Sequence, residues 1–149
     1  LDMSFVRTFG TKGSSEILLV QHTYQPYWFL PGGRIERYET PEAAARREAA
    51  EEVGATLGDL RLFGLYANFY EYKSDHIVVF ACEDFTLTEP GDGMPTSFEG
   101  RPTSRMTRFE IAQRAFFDIT HLPEDISPGC GRRVREYLQA PAWPIVGDW

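Results

Sequence analysis

The chain has 149 residues, of which 42% are hydrophobic, 14% aromatic and 25% charged, a composition that predicts one globular domain over 1–149 and excludes a largely disordered chain. Fifteen Lys and Arg against 22 Asp and Glu give a formal charge of −7, the wrong sign for a protein held to phosphate backbones, so nucleic acid is not expected as a partner. The longest apolar runs, Ile17 to Val20 and Ile77 to Cys82, fall far short of the roughly 20 residues that span a bilayer, and no membrane partner is expected.

No charged-then-apolar leader opens the chain, so it is read as unexported; its start at Leu1 rather than Met predicts a trimmed or tagged chain. Cys82 and Cys130 stand 48 positions apart with no Cys-x-x-Cys or Cys/His cluster, which predicts two reduced thiols in a cytoplasmic protein and no zinc site.

Short β-branched and aromatic clusters separated by turn residues, with one strong helical segment, predict an α/β or α+β fold. Ile17 to Val20 reads as a buried strand, the second of a hairpin begun around Ser4 to Phe9. Tyr24 to Pro31, aromatic and punctuated by proline, reads as a surface loop. Thr40-Pro41-Glu42 is a helix start: a threonine cap, a proline at the first helical position, and an acid facing the helix dipole. The helix runs to Val53, and Gly54 stops it. Arg61 to Tyr72 and His76 to Cys82 read as a strand pair joined by Lys73-Ser74-Asp75. Thr86 to Arg108, with three Gly and three Pro, reads as a long loop. Phe109 to Phe117 reads as a further strand, and Ser127-Pro128 opens a second helix from about Gly129 to Gln139. Two helices then flank a mixed sheet.

The stretch from Pro31 to Ala55 holds six glutamates and four arginines. On a helix, Glu48, Glu51 and Glu52 stand at i, i+3 and i+4, so their carboxylates share one face and repel. A divalent cation resolves that repulsion. All-oxygen ligands suit Mg2+ or Mn2+, and Mg2+ completes its shell with water and substrate phosphates. The bland alternative is a solvated acidic face with an ordinary Arg47 to Glu51 pair.

The order Gly33, five residues, Glu39, seven residues, Arg47-Glu48, then Glu51-Glu52 and Gly54 resembles the Nudix box at each defined charged and glycine position; only the aliphatic positions differ, filled by Ala49 and Ala55. Leu30-Pro31-Gly32-Gly33 and the Phe116-Phe117 and Leu122-Pro123 pairs extend the resemblance. It implies an α/β/α sandwich with a mixed sheet flanked by helices, and Mg2+-dependent hydrolysis of a nucleoside diphosphate linked to another moiety. A non-catalytic nucleotide-binding module is the alternative, whose usual mark, a lost box glutamate, is missing. The resemblance allows a homodimer.

Carried over, Glu51 and Glu52 become metal ligands together with the Gly32 carbonyl, and Glu48 a ligand of a second ion or its water and a candidate base. Arg47 and Glu52 join Glu48 in the catalytic group, with Arg47 orienting a carboxylate and Glu39 tying loop to helix or reaching the metal shell through water. Members of the family recruit a further glutamate from beyond the box; Glu110 fits best and Glu99 is the rival. Cations for the diphosphate come from Arg7, Arg34, His22, Lys73, His76 and Arg105. Tyr24, Tyr27 and Trp28 are placed to stack on a nucleobase, or else Trp28 and Phe29 anchor the loop in the core. Tyr70 and Tyr72 lie 16 and 18 residues after Gly54, where dinucleoside polyphosphate hydrolases carry a tyrosine and ADP-ribose pyrophosphatases a proline; strand alternation explains them equally well.

Overall fold

The computed structural model describes residues 2–13, 15–88, 111–139 and 142–149. Most of the expected long loop, with Glu99 and Arg105, lies outside the described residues, as does Glu110 at the start of the expected strand.

The first strand, β1 (Asp2–Lys12), organises the sheet. It meets β2 (Glu16–His22) in an antiparallel hairpin only at Thr11↔Ile17 and Lys12↔Glu16. Its residues 2–10 run parallel to β7 (Ser74–Cys82) instead, so the hairpin expected from Ser4 to Phe9 is confined to the strand's far end. A partner 72 positions away leaves no local sequence signal. Between them lie β3 (Trp28–Phe29) and β4 (Gly32–Arg34), the first paired with β2 and the second with β1.

The helix α1 (Pro41–Val53) has the ends that its sequence predicts. The Ala43 N–H donates to Thr40 Oγ1 at 3.1 Å, and Gly54 closes the helix in the left-handed region at φ 65°. Next come β5 (Ala55–Leu57) and β6 (Arg61–Asn68), the latter antiparallel to β7. The turn between β6 and β7 is centred on Tyr70–Tyr72 rather than on Lys73 to Asp75, with Glu71 and Tyr72 at φ 55° and 63°. Then β8 (Phe85–Leu87) pairs with β5, β9 (Ile111–Asp118) with β2, and β10 (Ile145–Asp148) runs parallel to β6. Strands β3, β4, β5, β8 and β10 have only two to four residues each, too few to carry a readable alternation. Helix α2 (Pro128–Gln139) is capped by Ser127, whose Oγ accepts from the Cys130 N–H at 3.3 Å.

The sheet is mixed and the helices lie on opposite faces, because β1 alternates. Val6 packs with Ala44 and Ala45 of α1, while Phe9 packs with Val134 and Tyr137 of α2. Alanines let α1 sit close to the sheet: Ala49 and Ala55, the two soft positions of the box, are both buried with Leu18, Val20 and Val53. No described helix is long and apolar enough to cross a membrane.

Candidate active site

The N-terminal half of the site is a close approach of backbone to helix. A Cβ on Gly32 would fall 1.9 Å from the Val6 carbonyl oxygen, and one on Gly33 would fall 2.5 Å from the Glu48 carboxyl carbon. Only glycine lets β4 press between β1 and α1 at these two positions. The contact is then used: the Gly32 N–H donates to Glu52 Oε1 at 2.6 Å, and Glu52 is 4% exposed. His22 Nε2 stands 3.9 Å from the other Glu52 oxygen.

Arg47 stands at the centre of the carboxylates. Its Nε and Nη2 donate to the two oxygens of Glu39 at 2.7 and 2.8 Å, a bidentate fork. Its Nη1 reaches Glu48 at 2.8 Å and Glu51 at 3.3 Å, and Nη2 also reaches the Arg34 carbonyl at 2.9 Å. These bonds, first of all those to Glu39, raise the pKa of Arg47, and the same fork holds Glu39 down at about 2. Glu48 goes the other way: burial raises its pKa against the pull of Arg47. Two carboxylates on one arginine thus sit in opposite regimes, one fixed as an anion and one nearer to taking up a proton.

Among the described residues, no three carboxylate, imidazole or thiolate groups already converge as a metal cluster; Arg47 holds Glu48 and Glu51 instead. The donor set nevertheless fits a hard divalent cation. It has Glu48, Glu51 and Glu52 on one helix face, and a glycine backbone pressed against two of those carboxylates.

Glu48 and Glu52 open onto a cavity of about 520 Å3, together with Gly32, Gly33 and Arg34. Its other walls include Phe5, Arg7, Asn68, Asp75, Ser127 and Trp149. Arg7 donates to the Leu30 carbonyl at 2.8 Å and lies 5.4 Å from the Phe29 ring centre. A second cavity of about 720 Å3 adjoins it and carries Tyr27 and Tyr70 beside Phe69, Arg132 and Trp149. Trp28, expected either to stack on substrate or to anchor the loop in the core, lines neither cavity. It is 8% exposed, 4.8 Å from Phe117 in an edge-to-face contact, and its main chain is tied to Asp125 and Ser127. Strand pairing at Gln21↔Trp28 and Val20↔Phe29 turns the Trp28 ring inward, and a buried indole is more useful to the core than to a ligand.

Sequence reasoning named Arg7 only as one of six cations and passed over Phe5, Asn68, Asp75, Ser127 and Trp149. A signal for two of them exists. Arg7 shares a strand face with Phe5 and Phe9, and Asp75 shares one with Ile77 and Val79. A charge in register with buried apolar residues marks a place where the core opens.

A family model described as NUDIX domain matches residues 4–135. The chain belongs to the Nudix family. Within the family it is 42% identical over 78 residues to the 8-oxo-dGTP diphosphatase of Escherichia coli (strain K12), a match covering 52% of this chain and 56% of that one. The chain therefore spans little more than half the length of that relative. A MutT-like protein from Streptomyces ambofaciens is 30% identical over 122 residues, covering 81% of this chain and 74% of its own. The Nudix fold is matched in the crystal structure of a MutT NUDIX hydrolase from Burkholderia pseudomallei, with a TM-score of 0.72 at 18% identity over 91% of this chain and 97% of that one.

Proposed function

We propose that the chain is a single-domain, divalent-cation-dependent pyrophosphohydrolase that cleaves a nucleoside diphosphate linked to another moiety. The observation that carries this reading is the packing of Gly32 and Gly33 against the carboxylates of Glu52 and Glu48 at the edge of a cavity. Glu48, Glu51 and Glu52 would hold Mg2+ or Mn2+, with the Gly32 backbone beside them. When bound, the cation supplies neutralising charge for the diphosphate and activation of the attacking water.

The remaining work falls to the chain. Arg7 and Arg34, both at the cavity wall, face the negative charge of the diphosphate. Arg47 keeps the Glu48 and Glu51 carboxylates from swinging apart while it stays anchored on Glu39. A Glu48 carboxylate oxygen accepts the proton of the attacking water. A new oxygen–phosphorus bond forms, the anhydride oxygen–phosphorus bond breaks, and two phosphate-ended products leave. Glu110 and Glu99 stay rival acceptors. Two free, buried thiols, Cys82 and Cys130, fit a reducing cytoplasm.

The test is phosphate release with Mg2+ and a coupling phosphatase. The panel is nucleoside triphosphates, dinucleoside polyphosphates, ADP-ribose, NADH and nucleotide sugars, and Glu51→Gln is the control. Hydrolysis of one class that vanishes in the variant supports the proposal. A folded, metal-loaded chain that hydrolyses nothing on the panel counts against it.

A further inference from the structure

The two ends of the 520 Å3 cavity differ in chemistry. One end carries Glu48, Glu52 and Arg7; the other carries Asp75 beside Asn68, its Cα partner across the β6–β7 ladder. Asp75 is 7% exposed, and among the described residues its carboxylate has neither a hydrogen bond nor an ion pair, its oxygens opening onto the cavity. Burying a carboxylate without a partner is costly, and a strand position facing Ile77 and Val79 offers no reason of packing to keep one. Asn68 is only half used: its Oδ1 accepts from the Tyr70 N–H at 3.1 Å, which leaves its amide donor for something else.

We propose that Asp75 reads a pair of adjacent hydrogen-bond donors on the ligand, at the end of the cavity remote from the phosphates, while the Asn68 amide beside it donates to a neighbouring ligand acceptor. A carboxylate is acceptor-only and takes two donors at once, which suits the N–H pair of a guanine-type base or the vicinal diol of a ribose. The spacing fits a nucleoside. Arg7 is the Cα partner of Val79, and Asp75 lies four residues from Val79 on the same strand face, roughly 13 Å at about 3.3 Å per residue. Phe5, the Cα partner of Ile77, supplies a flat wall between the two ends, and Trp149, tied to the Ala67 carbonyl, one beside Asn68. The inference rests on the carboxylate end being the diphosphate end, as proposed above.

Nucleoside monophosphates hold no anhydride, so their binding is read without turnover, and a missing hydrolase activity is distinguished from a missing donor-reading site. The experiment titrates the full chain with GMP, IMP and 2′,3′-dideoxy-GMP in Mg2+, with methylenediphosphonate as the base-free probe. The wild type is expected to prefer GMP over either IMP or dideoxy-GMP by about tenfold or more, and the probe that loses affinity names the source of the donors. Asp75→Asn, nearly isosteric, should shrink that preference to less than about threefold while methylenediphosphonate binds within about twofold of wild type. Its melting temperature should be at least that of wild type, since an unpaired buried charge is removed. Equal affinities in wild type for all three nucleotides overturn the inference, as does an unchanged preference in Asp75→Asn. So does an Asp75→Asn that loses methylenediphosphonate as strongly as GMP, or one that melts lower, because either marks Asp75 as structural. Asn68→Ala, at a half-exposed position, supplies a second variant and should weaken GMP without changing methylenediphosphonate.

Discussion

Arg47 and Arg133 solve the same problem in opposite ways. Arg47 sits among three carboxylates at the edge of the cavity, and its hydrogen bonds raise its pKa. Arg133 is 4% exposed, lies 4.1 Å over the Tyr66 ring and 5.1 Å from that of Trp149, and burial lowers its pKa despite the Glu136 carboxylate at 2.8 Å. One guanidinium is stabilised by charge and serves to arrange other charges. The other is stabilised by rings and serves to lock α2 and the last strand together, through its bond to the Asp148 carbonyl at 2.9 Å. Arg47 thus arranges the carboxylates of α1, and the one buried charge of α2 serves structure.

The contrast can be broken by mutation. The largest effect expected is on catalysis at the α1 side: Glu51→Gln should lower kcat by about 100-fold or more and leave the melting temperature nearly unchanged, checked by steady-state rates and circular dichroism. Arg133→Ala should do the reverse. Losing the ring contacts and leaving Glu136 short of a partner should cost about 2–3 kcal/mol in urea unfolding, while kcat at a temperature where the variant stays folded holds within about threefold. Arg47→Lys keeps the charge but not the fork, so kcat should fall by about tenfold, with a smaller loss of stability. The smallest effect separates the partners of Arg47 by pH. The Glu39 pKa is held down at about 2 against an ordinary 4.5, so its contribution to stability is present above pH 4.5 and lost as pH falls toward 2. Glu39→Gln should therefore melt below wild type at neutral pH, and the two melting curves should meet near pH 2.

What was readable in advance follows the range of the interactions. The ends of α1 could be read because Thr40, Pro41 and Gly54 act within one turn of themselves. The carboxylate face could be read because i, i+3 and i+4 fix it. That Arg47 orients a carboxylate was implied only by the resemblance, and its fork on Glu39 had no signal in the sequence. The sheet wall of the cavity was hidden: Arg7 and Asp75 come to line one face, well apart along it, through the parallel pairing of β1 with β7, and no local pattern records that pairing. Trp28 stayed open between two roles because an aromatic residue in a proline-punctuated segment looks the same whether its ring points out to a ligand or, through two residues of strand, into the core, where the structure places it.

The same parallel pairing orders events in time. Nine residue pairs from Asp2↔Ser74 to Gly10↔Cys82 each join positions 72 apart, so they zip only after most of the chain has been laid down and searched. Helix α1 needs nothing so distant. The ends of α1 are fixed within a turn of themselves, whereas the wall that carries Arg7 and Asp75 is complete only once β1 has closed onto β7. Closing β1 onto β7 is the step that gives the cavity its second wall.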